Sequence, residues 1–104
     1  MRLKHIALLL LVAAGLSLFA FYGWFQETLR MQGPLDKPAI VYVEPGSGTK
    51  KIADALMAAG AIDSPEIFSY GSKYEGGGLK AGEYQIPAGA SIKSIIELLQ
   101  SGKT

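Results

Sequence analysis

Hydrophobic residues are distributed along this chain in two different ways. Residues 6–25 form one uncharged and mainly apolar run, without interruption by a polar face. After residue 38, apolar residues recur in short alternating or helical patterns that are separated by Pro and Gly. The continuous run predicts a helix long enough to cross a membrane, and the patterned part predicts a small folded domain.

The patterned part, residues 39–104, predicts five elements. Short β-rich runs at 40–43 and 83–86 each end at Pro and Gly, which indicates two strands closed by turns. Apolar residues at helical spacing predict a helix over 50–59, a second helix beginning at Ser64-Pro65, and a third over 92–101. The order strand, helix, helix, strand, helix predicts an α+β fold in which a two-stranded antiparallel sheet is covered by helices.

Hydroxyl and glycine residues mark the ends of these helices. Thr49, Ser64 and Ser91 stand where an N-cap is expected, because a hydroxyl oxygen can accept from the free N–H groups of the first turn. Gly60 and Gly102 follow the first and last helices, at positions that favour the left-handed conformation. The run Gly76-Gly77-Gly78 predicts a flexible loop.

Two segments of the domain resemble each other. Residues 40–56 and 82–98 each read as strand, turn, hydroxyl cap and helix, and an offset of 42 pairs Tyr42 with Tyr84 and Thr49 with Ser91. This pattern indicates an internal repeat. Any two strand–turn–helix units share such turn and cap residues, so coincidence remains the alternative.

The apolar run has the features of a membrane anchor. Arg2 and Lys4 precede it, which favours a cytoplasmic N-terminus, and aromatic residues collect at its other end, as they do at membrane interfaces. A cleaved signal peptide is the competing interpretation, but its apolar core is usually only about 7–15 residues long. We therefore predict a cytoplasmic tip and anchor at 1–25, a linker at 26–38 that spaces the domain from the bilayer, and a domain at 39–104.

Composition excludes several classes of function. The chain has 104 residues, a net charge of +1 and no Cys, so disulfides, thiol nucleophiles, Cys-type metal sites and a lipid-bearing Cys are excluded. Its one His, His5, lies beside the apolar run, so we expect no His-based triad, no metal site and no cofactor. The balanced charge gives no indication of nucleic acid as a partner.

Several motifs in fixed order resemble one family. Residues 41–56 read VYVEPGSGTKKIADAL, residues 60–68 read GAIDSPEIF, and residues 79–84 read LKAGEY, followed by the Gly-x-Ser pattern and helix of residues 89–102. These motifs resemble the MltG (YceG-like) family of bacterial endolytic murein transglycosylases. The resemblance implies a single-pass anchor in the bacterial inner membrane, a LysM-like domain in the periplasm, and a catalytic domain further along the chain.

The chain departs from that family in one respect. The family's catalytic glutamate lies in an Ala-Ser-Ile-hydrophobic-Glu-Lys-Glu type motif downstream of the LysM-like part, and residues 1–104 contain no such motif. No residue here inherits the catalytic role. Glu44, Glu66, Glu83 and Glu97 are expected to be turn, cap or surface residues.

The resemblance also implies a glycan-binding groove. LysM domains bind N-acetylglucosamine chains between the first strand–helix loop and the second helix–strand loop, which here are residues 45–49 and 76–81. The candidate residues are Gly46, Ser47, Thr49, Tyr74 and Tyr84. The alternative for Tyr42 and Tyr84 is that both are ordinary strand residues packed on the sheet.

Two functional hypotheses follow from the sequence. In the first, the chain is the anchoring and LysM-like part of an enzyme that cleaves nascent peptidoglycan strands and limits their length. In the second, it is a non-enzymatic anchored module that binds glycan strands or a cell-wall synthase. The sequence does not decide between glycan and protein as the partner of the domain.

Overall fold

The computed structural model describes residues 2–104, which form four helices and one two-stranded sheet. The elements are α1 (Leu3–Arg30), β1 (Ala39–Val43), α2 (Thr49–Ala58), α3 (Pro65–Tyr74), β2 (Gly82–Ile86) and α4 (Ile92–Ser101). The predicted order and the α+β class are confirmed, and the strands pair antiparallel as expected. Within residues 39–104, the predicted ends of strands and helices agree with these bounds to within one residue where both were given.

The core lies on one face of the sheet. Val41 pairs directly with Tyr84, and both side chains are buried, as are those of Val43 and Ile86. Directly opposite residues of an antiparallel pair share a face, and alternate residues point to opposite faces. The three helices of the domain cover the buried face with their apolar stripes; the buried helical residues include Ile52, Leu56, Phe68, Ile95, Ile96 and Leu99.

The two strand–turn–helix units repeat, but with an offset of 43 residues. Ala39–Val43 corresponds to Gly82–Ile86 with the same order of exposed and buried residues. Ile52 and Leu56 correspond in the same way to Ile95 and Leu99. Gly46 and Gly89 also correspond, and both have a positive φ in the turn after the strand. The predicted offset of 42 is therefore wrong by one residue. An offset of 42 would match exposed residues of one strand with buried residues of the other.

The helix caps follow the prediction at two of three sites. The Ser64 and Ser91 hydroxyls accept from the backbone N–H groups of Ile67 and Ser94, at 3.4 Å and 3.1 Å. Thr49 is not a cap, because Gly48 holds the N-cap position of α2 and no side chain bonds the first turn. Thr49 is instead the first residue of the helix.

The glycine run after α3 is an ordered helix cap rather than a flexible loop. The N–H groups of Gly76 and Gly77 donate to the carbonyls of Lys73 and Ser72, which is the hydrogen-bond pattern of a Schellman motif. The Gln100 amide donates to the carbonyl oxygens of Glu75 and Gly77, both at 2.8 Å. The expectation of a flexible loop is corrected, since α4 binds this turn directly.

The apolar helix α1 continues into the domain. It runs to Arg30, five residues beyond the predicted anchor, and its 18-residue most apolar window has no buried residue. Leu29, one residue before its end, is fully buried in the domain core. Gly71 of α3 faces it so closely that an added Cβ would lie 2.7 Å from Leu29 Cδ2. The end of α1 is therefore packed against the domain.

The segment after α1 is also attached to the domain. The Gly33 N–H donates to the Gly89 carbonyl at 3.1 Å, and the Gly89 N–H donates to the Leu35 carbonyl at 2.7 Å. An added Cβ at Gly33 would clash with the Ala90 carbonyl, so only glycine allows the two backbones to approach this closely. Residues 33–35 thus lie along the β2–α4 turn, where we had expected a free spacer.

Candidate functional site

The predicted glycan-binding turn follows β1 directly. Glu44 accepts a backbone hydrogen bond from Ser47 at 3.1 Å, which closes the turn around Pro45 and Gly46. Gly46 has φ of +80°, a conformation that side chains with a Cβ rarely adopt. The turn exposes Gly46 and leaves Ser47 and Thr49 half-buried. The Ser47 hydroxyl thus lies on a short, conformationally constrained turn, and the Thr49 hydroxyl lies at the first residue of α2.

The sheet brings both predicted loops to the same end of the domain. Val43, the last residue of β1, pairs with Gly82, the first residue of β2. The turn at 45–49 leaves the sheet at this end, and the segment 76–81 enters it there. Both loops therefore adjoin the same end of the sheet, and a groove between them stays a prediction.

A small groove lies beside Ser47. It has a volume of about 140 Å³, and Tyr42, Glu44, Ser47 and Lys51 are among its lining residues. Glu44 and Lys51 form an exposed ion pair at 2.9 Å across it. Such an exposed pair contributes about 0–1 kcal/mol to stability, so its side chains are available to rearrange around a polar ligand.

Tyr84 does not present its ring to this groove. Its side chain is fully buried, and its hydroxyl donates to the Lys80 carbonyl oxygen at 2.6 Å. Burial raises the pKa of Tyr84 above its ordinary value. The alternative, a strand residue packed on the sheet, describes Tyr84, and its expected role as a sugar-stacking ring is corrected.

The Tyr74 side chain contacts α1 and does not line the groove beside Ser47. Its hydroxyl donates to the Tyr22 hydroxyl at 3.0 Å, and its ring meets the rings of Tyr22 and Phe25 edge-on at about 6 Å. The hydrogen bond with Tyr22 is the main cause that raises the pKa of Tyr74. The cavities lined by Tyr74 and by Ser47 share no residue, so the structure does not bring these two candidates together.

Tyr42 is an aromatic residue near the groove that was not among the predicted glycan contacts. It lines the groove beside Ser47, and 57% of its surface is exposed. It stands opposite Glu83, on the sheet face away from the core. The signal was present in the sequence, because Val41 and Val43 flank Tyr42, and alternation places it on the other face from both.

The glutamates are distributed over separate surfaces of the domain. Glu44 pairs with Lys51, Glu66 lies in the first turn of α3, and Glu97 is exposed on α4. Within residues 2–104, no group of three His, Cys, Asp or Glu side chains is placed to hold a metal ion. The expectations of no catalytic residue and no cofactor remain predictions.

The fold and the turn motifs agree with comparisons against known proteins. The sequence profile of the YceG-like family matches residues 41–104. A crystal structure of lmo1499, a protein of Listeria monocytogenes described as YceG-like, is 30% identical with a TM-score of 0.62. That match covers 65% of this chain and 23% of the Listeria chain, and no curated protein matches significantly. This chain therefore belongs to the YceG-like family.

Proposed function

We propose that this chain is the membrane-anchoring and substrate-presenting part of an endolytic transglycosylase that cleaves nascent peptidoglycan strands. The observation that carries the proposal is the continuity of α1 with a domain of the YceG-like family. Residues 6–25 of α1 would span the inner membrane, with the N-terminus in the cytoplasm and the domain in the periplasm. Leu29 and the 33–35 segment then hold the domain at a constant height above the bilayer.

The domain would act as a LysM-like module. Its ligand would be a glycan strand at the end of the sheet that residues 45–49 leave and residues 76–81 enter, with Gly46, Ser47 and Thr49 as contacts. Tyr42 takes the place of Tyr84 as the ring available there, since it is exposed beside Ser47. Aromatic faces suit the apolar faces of sugar rings, and hydroxyls and backbone groups suit sugar hydroxyls.

Anchoring is tested by releasing the native enzyme from the membrane. In the native gene, the codons for residues 1–25 are replaced by those of a cleaved periplasmic leader, and the length of glycan strands is measured. We expect longer strands, because the enzyme no longer cuts where new strands emerge. A released enzyme that is present at normal level and leaves glycan length unchanged would contradict the proposal.

Glycan binding is tested with the full chain in nanodiscs and purified sacculi. We expect co-sedimentation that Ser47→Trp weakens, because the large ring fills the groove of about 140 Å³. Ala88→Trp, in the exposed turn near Gly33 at the other end of the sheet, is the matched control and should sediment like the wild type. Absence of sedimentation, or equal loss in both variants, would remove the support for this ligand.

The runner-up is a non-enzymatic anchored module that binds a cell-wall synthase. It is favoured by the outer face of β1, where Ile40 and Tyr42 are more than half exposed. Exposed apolar side chains of this size are typical of protein-contact surfaces. Photo-crosslinking from position 40 in cells distinguishes the two ligands: a synthase adduct supports a protein partner, and a glycan adduct supports a glycan ligand.

A further inference from the structure

An apolar cleft lies between α1 and α3, separate from the groove beside Ser47. Its volume is about 520 Å³. Both helices contribute aromatic rings, and α3 also contributes Ile67; the rings are Phe21, Tyr22, Trp24, Phe25, Tyr70 and Tyr74. Tyr70 is 65% exposed and Trp24 is 55% exposed. This is a large aromatic surface that the domain itself does not cover.

The direction of α3 is set by its contacts with α1. Ile67, near its start, shares a cavity wall with Thr28 and Met31. Gly71, one turn later, meets Leu29, and Tyr74 at its end reaches Tyr22. From the start of α3 to its end, the contacted residues of α1 lie progressively closer to the N-terminus. The two helices therefore run antiparallel. The C-terminal end of α3 points toward the apolar segment of α1.

The depth of the cleft follows from helix geometry. Tyr22 lies 16 residues after Ile6, which is about 24 Å at a rise of 1.5 Å per residue. A hydrocarbon core of about 30 Å that begins at Ile6 would end near Phe25. The Tyr22–Tyr74 hydrogen bond then lies just inside the boundary, and the cleft lies at the membrane interface.

The composition of the cleft distinguishes among ligands. Among the described residues that line it, Glu66 alone is charged, and it belongs to the first turn of α3, the end away from the membrane. A sugar chain requires several polar partners inside its site, whereas an acyl chain requires none. Tyr and Trp rings collect at bilayer interfaces, where the ring is in apolar surroundings and the polar atom reaches water.

We propose that the α3 face formed by Ile67, Tyr70 and Tyr74 rests in the membrane interface, with an acyl chain of a bilayer lipid in the cleft. The inference rests on the proposed membrane anchoring of α1, with which this surface is continuous. The buried contact of Leu29 with Gly71 holds the face at this depth. The domain would thus be docked on the bilayer rather than suspended above it.

Spin labelling of the full chain in lipid nanodiscs tests the docking of α3 on the bilayer. Because the chain has no native Cys, each single-cysteine variant carries one label at a known position. Labels are introduced with Leu16→Cys for the anchor, Tyr70→Cys for the cleft, and Ala88→Cys at an exposed turn near Gly33, beyond the end of α1. Lys73→Cys is a matched control on α3, since Lys73 lines only the polar groove toward α2, whereas Tyr70 lines both that groove and the apolar cleft. Accessibility to oxygen, which concentrates in lipid, is compared with accessibility to a water-soluble nickel reagent.

We expect the oxygen-to-nickel ratio at position 70 to exceed the ratios at positions 73 and 88 severalfold, and to approach the ratio at position 16. A lipid-like value at 16 with a water-like value at 70 would overturn the docking and leave the anchor intact. A label at 70 that neither reagent reaches would indicate a second protein chain and would also overturn it. A water-like value at 16 would refute the anchoring itself.

Discussion

Leu29 is expected to join the apolar helix α1 to the domain, and its replacement by alanine tests that connection. The side chain is fully buried in the core and packs against Gly71 and, through Gly71, beside Ile96. Removal of a buried leucine side chain leaves a cavity and costs about 2–5 kcal/mol. We expect L29A to lower the free energy of unfolding by an amount in that range. L16A is the matched control, because Leu16 lies on the same helix and is 65% exposed.

Gly71 provides the partner for a double-mutant cycle. In the wild type, a methyl group at position 71 would lie 2.7 Å from Leu29 Cδ2 and 3.2 Å from Ile96 Cδ1. Overpacking of this kind costs about 1–3 kcal/mol, while replacement of a glycine within a helix by alanine gains about 1 kcal/mol. G71A alone should therefore lower the free energy of unfolding by about 0–2 kcal/mol. In the L29A background the clash with Leu29 is gone, and G71A should be neutral or stabilising, which is a coupling of about 1–3 kcal/mol.

The assay is pulse proteolysis of the full chain in detergent micelles over a urea series, with cleavage at the lysines of the domain. It reports the unfolding of residues 39–104 without requiring α1 to unfold. A loss for L29A no larger than that for L16A would refute the packing of α1 in the core. Strict additivity of L29A and G71A would refute the contact between these two residues.

Three further predictions concern the domain alone. S91A should lose about 1 kcal/mol because it removes a helix cap, whereas T49A should be nearly neutral in the same urea assay. Y84F should lose about 1 kcal/mol by losing its buried hydrogen bond, with Y42F as an exposed control. Burial raises the pKa of Tyr84, so the stability that its neutral hydroxyl contributes is complete below pH ~10 and is lost as pH rises further. The difference in unfolding free energy between the wild type and Y84F should therefore narrow above pH ~10. A difference that widens would contradict this. Q100A should accelerate amide hydrogen exchange at residues 76–78, and unchanged exchange would show that α4 does not hold that turn.

The sequence was sufficient where local chemistry decides the structure. Ser64 and Ser91 were identified as caps because each hydroxyl precedes an apolar helical pattern, although the same signal at Thr49 was off by one residue. The five domain elements and the antiparallel pair followed from period and turn residues. The family was also evident, because its motifs lie mainly in turns, where backbone conformation restricts the choice of residue.

The sequence was insufficient where distant residues meet. Gly33 and Leu35 form backbone hydrogen bonds with Gly89, in the turn before α4. Residues 26–38 lack an apolar period and predicted a spacer, yet Leu29 finds a place in the core through a glycine 42 positions later. Neither contact has a local signature, since each depends on how separate elements pack.

The intact mass of the native protein shows whether this chain anchors and presents an enzyme at the membrane, as we propose. The protein is purified from membranes with an antibody against residues 39–104, and its mass is measured. The account predicts a membrane-bound protein well above the 11.0 kDa of these residues, with α1 retained. A mass equal to these residues would leave an anchored module without the enzyme, and loss of residues 1–25 would refute the anchor.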